Sequence, residues 1–372
     1  MKYWRGFLVA FILAAIGWAL TLFAAGHTAL VDMIYPYVTR LILGSMTDWS
    51  AGFAGCLWQN WVLIFVIISI AGLAAVILLR RNPIQLIGWI LAVVCAAGMF
   101  STLLYGLNDY AGPISEDVRL TMTDYTVAEL SEAAQYYRDK ANTLAQSVDR
   151  DSKGNVALPE FEELAAQAGQ GFERLTYERA ISLFAGSTVP VKKLGWSAFY
   201  SGKSGMFYPL TGEACVNPNV PAVALPFAMC KEMAKRMTIA KEEDAKYAAF
   251  LAAKENDSPV FQYSAYCIAY YYCYNTLTTV PTSTAQQNAQ SVHSGADPLL
   301  VSDMASYEKF FGVFEDPMGD SVADMLTSAY IQEFITPLHL EEEDPFDPFN
   351  SSKVDLKYVK PAPMPLKEKT ET

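Results

Sequence analysis

Lys231-Glu232-Met233-Ala234-Lys235 is the stretch whose residue types and spacing come closest to a reaction centre. On a helix, positions 231 and 235 share one face, one turn apart. Two histidines at that spacing can hold a zinc ion, with the Glu after the first as general base toward a metal-bound water. Here both nitrogen positions carry ammonium groups. Zinc takes imidazole, thiolate or carboxylate donors, and an ordinary lysine has no lone pair until it deprotonates near pH ~10.4. Without the metal, Glu232 has no bound water to activate, and the metal-assisted route fails. The three histidines of the chain, His27, His293 and His339, are all remote in sequence from this stretch. Taken alone, K-E-x-x-K is also an ordinary solvated helix pattern.

The element that must position these residues is a helix from Leu225 or Pro226 to about Arg236, with an apolar stripe of Phe227, Cys230, Met233, Ala234 and Met237 at helical spacing. A second helix starts near Lys241, and Ala245, Ala248, Ala249 and Ala252 give it a small-residue face for close packing. An apolar helix follows Pro259; its aromatic run Tyr270 to Tyr274 reads as core. Ahead of the central helix, 189–200 and 206–216 have strand character. Helices are expected from Tyr125 to about Ser147, with a Thr126/Glu129 capping box, from Pro159 to Arg174 and from Tyr177 to Phe184. Residues 276–294 read as a polar loop, and 295–336 as two further helices. The segment 149–161 has the Asp149, Asp151, Gly154, Glu160 spacing of a calcium loop, but Lys153 and Ala157 depart from it. A plain Asp/Gly-rich turn is the better reading.

The first 107 residues are built for a membrane. Apolar runs at 7–25, 61–79 and 84–107 are each long enough to span one as a helix. The first is longer than the apolar region of a cleaved signal peptide. The turn Arg80-Arg81-Asn82-Pro83 makes the second and third spans antiparallel neighbours, with Gly72, Ala74, Ala75, Ala92, Ala96 and Ala97 available for close contact. Residues 27–60 are amphipathic, and two placements stay open: along the membrane surface, or packed on the next two spans. Lys2, Arg5, Arg80 and Arg81 fall on one side, which places the N-terminus in the cytoplasm and 108–372 outside it.

The net charge of −12 argues against nucleic acid as a partner. The bilayer is the partner that the composition demands. Six cysteines without a C-x-x-C pair read as free buried thiols, not as a zinc site. The acidic and Pro-containing end, 341–372, is expected to be disordered. The resulting domains are 1–107 in the membrane, 108–340 outside it and the tail 341–372.

Several blocks together resemble the bacterial membrane family known as domain of unknown function 3810. They are Val189-Pro-Val-Lys-Lys193, the ten residues Gly205 to Ala214, Asn217, Leu225-Pro-Phe227, the helix 230–236, Glu242-Glu-Asp-Ala245 and Phe261-Gln-Tyr-Ser-Ala-Tyr266. The three-span layout agrees. The resemblance implies three N-terminal transmembrane helices and a mainly α extracytoplasmic zincin-like domain with a small β-sheet. The family's C-H-E-L-A-H-Q helix then places its two histidines on Lys231 and Lys235 and its base on Glu232. An acidic third ligand from its E-D-E-A block falls on Asp244. Thr211, Gly212, Glu213 and Asn217 become candidate cleft residues. The implied protein is a catalytically inactive relative of membrane metallopeptidases, without zinc, binding a peptide or an envelope protein. An active peptidase with unusual ligands and a plain envelope scaffold are the alternatives.

Overall fold

The computed structural model describes residues 2–196, 202–312 and 319–336. The tail 341–372 and His339 lie outside them. Helix α1 (Arg5–Gly26) is followed by α2 (Thr28–Ala51), α3 (Leu57–Leu78) and α4 (Ile84–Leu104). Three of these, α1, α3 and α4, are long and apolar enough to cross a membrane. The close pair among them is α1 with α4. A Cβ on Gly6 would sit 2.4 Å from the Gly88 carbonyl carbon, so the two backbones touch where both residues are glycine. The short turn makes α3 and α4 antiparallel neighbours in sequence, but the small residues available for close contact do not pack along their length. They meet near their connecting turn, where Gly72 faces Leu86, and the apolar stretch of α3 has no buried residue. A short turn fixes direction, but contact along two helices needs complementary faces.

The rest of the chain is mainly helical. A single turn α5 (Ile114–Asp117) precedes α6 (Val127–Ala145), whose capping box forms as expected. The Glu129 N–H donates to Thr126 Oγ1 (3.2 Å), and the Thr126 N–H donates to Glu129 Oε2 (2.6 Å). The single helix expected over 159–174 is two, α7 (Phe161–Gln167) and α8 (Gln170–Tyr177), and only a short 3₁₀ turn at Ser182–Phe184 follows. Gly171 sets the position of α8. A Cβ there would fall 1.8 Å from the Ala252 carbonyl oxygen, so α8 lies directly on a later helix.

Strands β1 (Lys192–Lys193), β2 (Gly205–Tyr208) and β3 (Glu213–Val216) form one sheet in the order β1-β3-β2. The stretch expected as one strand over 206–216 is a hairpin. Gly212 adopts φ +65° in its turn, a conformation that favours glycine. β3 pairs antiparallel with β2 and parallel with β1.

Then come α9 (Leu225–Arg236), α10 (Glu242–Lys254), α11 (Pro259–Thr279), α12 (Ser283–Ser294), α13 (Pro298–Phe311) and α14 (Gly319–Tyr330). The loop expected over 276–294 is mostly α12. Thr282 caps it, and Ala285, Ala289 and Val292 bury one narrow stripe despite the polar composition. One apolar core joins α6 to α14, with Tyr263, Tyr270, Phe172 and Phe261 among its largest buried side chains. The six cysteines are free, and five of them are buried.

α9 is the centre of this domain, buried on nearly every side instead of along one stripe. β3 and β2 cover one flank, and α10 and α11 cover others. Its C-terminus turns at Thr238, a non-glycine residue at φ 74°. The Arg40 guanidinium of α2 donates to the carbonyl oxygens of Met237 (3.2 Å) and Ser182 (3.0 Å). A cation at the end of a helix is favourable, and this one ties the central helix to α2.

Candidate functional site

Helical spacing brings Lys231 and Lys235 to one face of α9, as expected. The first residue of α10 then meets both. Lys231 Nζ lies 2.6 Å from Glu242 Oε1, and Lys235 Nζ lies 2.5 Å from Glu242 Oε2. One carboxylate therefore bridges the i,i+4 pair. Glu232 closes the group from the other side, at 3.4 Å from Lys231 Nζ and 3.9 Å from Lys235 Nζ. Two ammonium groups and two carboxylates converge at one point.

Burial disfavours charge on both members of the tightest pair, but their mutual attraction prevails. At Lys231, desolvation lowers the pKa, while Glu232 and Glu242 raise it more, and the ammonium is held above the ordinary lysine value. At Glu242, desolvation raises the pKa, while Lys231 and Lys235 lower it more, and the carboxyl is held well below the ordinary value. Both groups stay charged across the physiological range.

Glu232 is fully buried, and neither of its carboxylate oxygens has a hydrogen-bond partner. Its side chain lies against β2. A Cβ on Gly205 would come within 2.7 Å of Glu232 Cγ and 2.5 Å of the Cys215 carbonyl oxygen, so only glycine admits the strand this close. Composition shows a glycine at the head of a strand; only the packing shows what it faces.

Asp244, the acidic residue expected beside the lysines, is elsewhere. Residues two apart on a helix point some 200° apart, so Glu242 and Asp244 cannot both reach α9's lysines. Asp244 lines a small cavity against α2, with Asp32, Arg40, Asp117 and Lys241. Desolvation raises its pKa from the ordinary 3.8 to about 6, with Lys241 and the backbone of Ile114 opposing. The acidic partner of the lysine pair is Glu242.

The expected cleft residues also separate. Glu213 is buried at the joint with the membrane helices. Its Oε1 accepts from the Leu57 N–H (2.8 Å) and Lys192 Nζ (2.7 Å), and its Oε2 accepts from the Trp58 N–H (2.9 Å) and Thr211 Oγ1 (2.9 Å). Lys192 also donates to the carbonyl oxygens of Ser50 (2.7 Å) and Phe53 (3.0 Å), at the end of α2. Gly212 packs on α2, where Thr47 Oγ1 donates to its carbonyl oxygen (2.7 Å). Thr211, Gly212 and Glu213 thus fasten β3 to α2 and α3. Asn217 does something different. Its Nδ2 donates to the Lys203 carbonyl oxygen (3.0 Å), bracing the segment before β2.

The open space lies on the other flank of α9. A cavity of about 720 Å³ runs over Lys231, Lys235 and Glu242, with Lys203 and Lys246 also on its wall. Phe227, Tyr271, Tyr307 and Phe311 line its apolar part. Tyr105, the residue that ends α4, lines it as well. Tyr271 and Tyr272, read from sequence as core, do belong to it, Tyr272 buried and Tyr271 packed against it, and both also line the cavity. Nothing in an aromatic run announces which rings face a void.

No three His, Cys, Asp or Glu side chains converge on a point where a metal could sit, among the described residues. The donor set at the site, two charged lysines and two carboxylates, does not suit zinc. His293 stacks on Tyr274, away from the cavity wall. In the 149–161 loop, Asp151 Oδ1 accepts from the N–H groups of Lys153 (2.8 Å) and Asn155 (2.9 Å), closing a turn on itself.

The family described as "Protein of unknown function (DUF3810)" matches residues 32–334. The chain belongs to this family. The match runs from α2 to the end of the helical domain, so α3, α4, the sheet and the lysine site all fall inside a DUF3810 unit. No curated protein and no solved structure matches the chain.

Proposed function

We propose that this DUF3810 protein is a catalytically inactive, zincin-like membrane protein that binds a peptide or an envelope-protein segment in the cavity beside α9. The observation that carries the reading is the Glu242 bridge. The two positions where a metallopeptidase would present neutral imidazoles hold lysines, and one carboxylate engages both, at 2.6 and 2.5 Å. An ammonium held charged by Glu232 and Glu242 offers no lone pair to a metal. Two positive charges stand where one divalent cation would stand, so carboxylates inherited from a metal site keep their neutralisation. Removing the cation alone would leave them buried and uncompensated, at a cost of several kcal/mol. In this reading Lys231 and Lys235 are former ligand positions, Glu232 is a vestigial base and Glu242 takes the acidic ligand's place. Zinc is absent.

The cavity suits a binding role. Aromatic walls with a few charged groups are the usual makeup of a ligand pocket. Tyr105 on the wall ends the last span, so an occupant is held close to the membrane. The N-terminus is cytoplasmic and the domain extracytoplasmic in this proposal, on the distribution of basic residues.

The test uses the full-length protein purified in detergent. Metal analysis is expected to find no stoichiometric zinc, and a pool of fluorogenic peptides is expected to stay uncut. A peptide from such a pool should raise the Tm of the wild type and fail to raise that of Tyr271→Ala or Phe311→Ala. A tightly held zinc, or cleavage abolished by Glu232→Gln, would sink the reading.

A further inference from the structure

We propose that α2 lies in the plane of the membrane surface, with one face against lipid and the other carrying the helical domain. The inference rests on α1, α3 and α4 crossing the bilayer. Helix α2 begins one residue after α1 ends, and a five-residue turn, 52–56, joins it to α3. Gly6 of α1 lies against Gly88 of α4 and Gly17 against Met99, so α1 and α4 run parallel; α3, joined to α4 by the short turn 79–83, runs the opposite way and enters from the face on which α1 exits. A helix joining those two points cannot itself cross. Its 24 residues extend about 36 Å at 1.5 Å per residue, and that length runs along the surface.

The two faces of α2 match this placement. Leu30, Met33, Ile34, Tyr37, Val38, Leu41 and Ile42 are all exposed, and Leu41 is 76% accessible. They recur at the spacing of one helical face, and no charged residue interrupts them. The residues on the other side, Pro36, Thr39, Leu43, Thr47 and Ser50, are buried. The charged side chains hold the domain. Asp32 Oδ1 accepts from the Gly112 N–H (2.7 Å), Arg40 caps α9, and Asp48 Oδ1 accepts from Ser187 Oγ (3.4 Å). An apolar face of this size on a soluble surface invites aggregation. Here it adjoins exposed apolar residues at the end of α1, Leu22 and Phe23, and others from Trp49 and Phe53 to Trp61 and Val62 at the start of α3, which makes lipid its occupant. In-plane helices of this kind bury their apolar face roughly 5–10 Å into the headgroup and acyl boundary.

Depth-resolved quenching tests the placement. The full chain, reconstituted in phosphatidylcholine vesicles, carries an environment-sensitive fluorophore on a single introduced cysteine. The variants are Met33→Cys and Leu41→Cys on the stripe, Ile68→Cys in the middle of α3 and Ser152→Cys on the distant loop, with unsubstituted protein as labelling background. Both stripe probes should emit to the blue and lose most of their emission to lipids brominated near the headgroup. Ile68→Cys should be quenched most by lipids brominated deep in the chain, and Ser152→Cys by neither. Stripe probes that match Ser152→Cys would overturn the in-plane helix while leaving the spans intact. An unquenched Ile68→Cys would overturn spans and in-plane helix together. Blue emission that ignores bromine and grows with protein density would assign the face to a second copy of this chain instead, and would also overturn the proposal.

Discussion

Two buried Lys/Glu groups sit on opposite sides of α9's neighbourhood, and they are built on opposite principles. At the joint, every oxygen of Glu213 is engaged: two N–H groups at the start of α3, the Lys192 ammonium and the Thr211 hydroxyl. Beside the cavity, Glu232 is just as buried, yet neither of its oxygens accepts a hydrogen bond. A buried carboxylate is stabilising only when its lone pairs are satisfied. The joint has the form of a structural fastening. In the cavity cluster Glu232 is held only by the longer ion pairs to Lys231 and Lys235, which is what the proposed inheritance from a metal site would leave.

Glu213→Gln sharpens this contrast most. It leaves the partly buried Lys192 ammonium without its counter-charge, with only the Ser50 and Phe53 carbonyl oxygens, and weakens the hold on α3. The expected loss is about 3–5 kcal/mol, the range for breaking a buried pair, read as a large fall in Tm in detergent. Glu242→Gln comes next. It leaves Lys231 and Lys235 with only the longer contacts to Glu232, and the charge-assisted bonds it removes predict a loss of about 1.5–3 kcal/mol. Glu232→Gln removes no hydrogen bond but takes away the carboxylate 3.4 Å from Lys231 Nζ and 3.9 Å from Lys235 Nζ; Glu242 still bridges both lysines, so the loss should stay below that of Glu242→Gln. If Glu232→Gln proves as damaging as Glu213→Gln, the contrast between the two groups is lost.

A further test concerns pH. The folded-state pKa of Asp244, about 6, lies above the ordinary 3.8. The folded state therefore holds a proton that the unfolded chain has released. The stabilisation this gives is complete below pH 3.8 and is lost as pH rises through about 6. Asp244→Asn should flatten that slope, raising Tm relative to wild type at pH 7.5 and changing it little at pH 4. Glu242 works in the opposite sense. Its folded pKa is depressed, so its contribution is present above the ordinary glutamate range and fades as pH falls below it. A wild-type Tm profile that Asp244→Asn leaves unaltered would place the pH response elsewhere.

Much of this arrangement was legible in the residues. Uniform apolarity marks α1, α3 and α4, because a span needs no face. The Thr126/Glu129 capping box is a local device, readable from four positions. The convergence of Lys231 and Lys235 follows from helical spacing alone. What could not be read depends on the phase of one helix against another. Glu242, Glu243 and Asp244 are three consecutive acids, and only the packing of α10 selects the first for α9 and turns the third toward α2. Glu213 stands in a strand that borders α9, so a cleft role was a reasonable expectation. Its actual partners are backbone N–H groups more than 150 positions earlier in the chain. Helix α12 was hidden by its polar composition, since a stripe of three small or medium residues is enough to seat it.

The central claim is that the lysine pair stands in the frame of a metal site. The most direct measurement is zinc stoichiometry in the full-length Lys231→His/Lys235→His protein, beside the wild type and a triple variant that adds Glu242→Gln. The expected result is no stoichiometric zinc in the wild type, about one per chain with both histidines in place, and loss of that zinc when Glu242 is also changed. A folded double variant that takes up no zinc, or a wild type that already holds one, would contradict it.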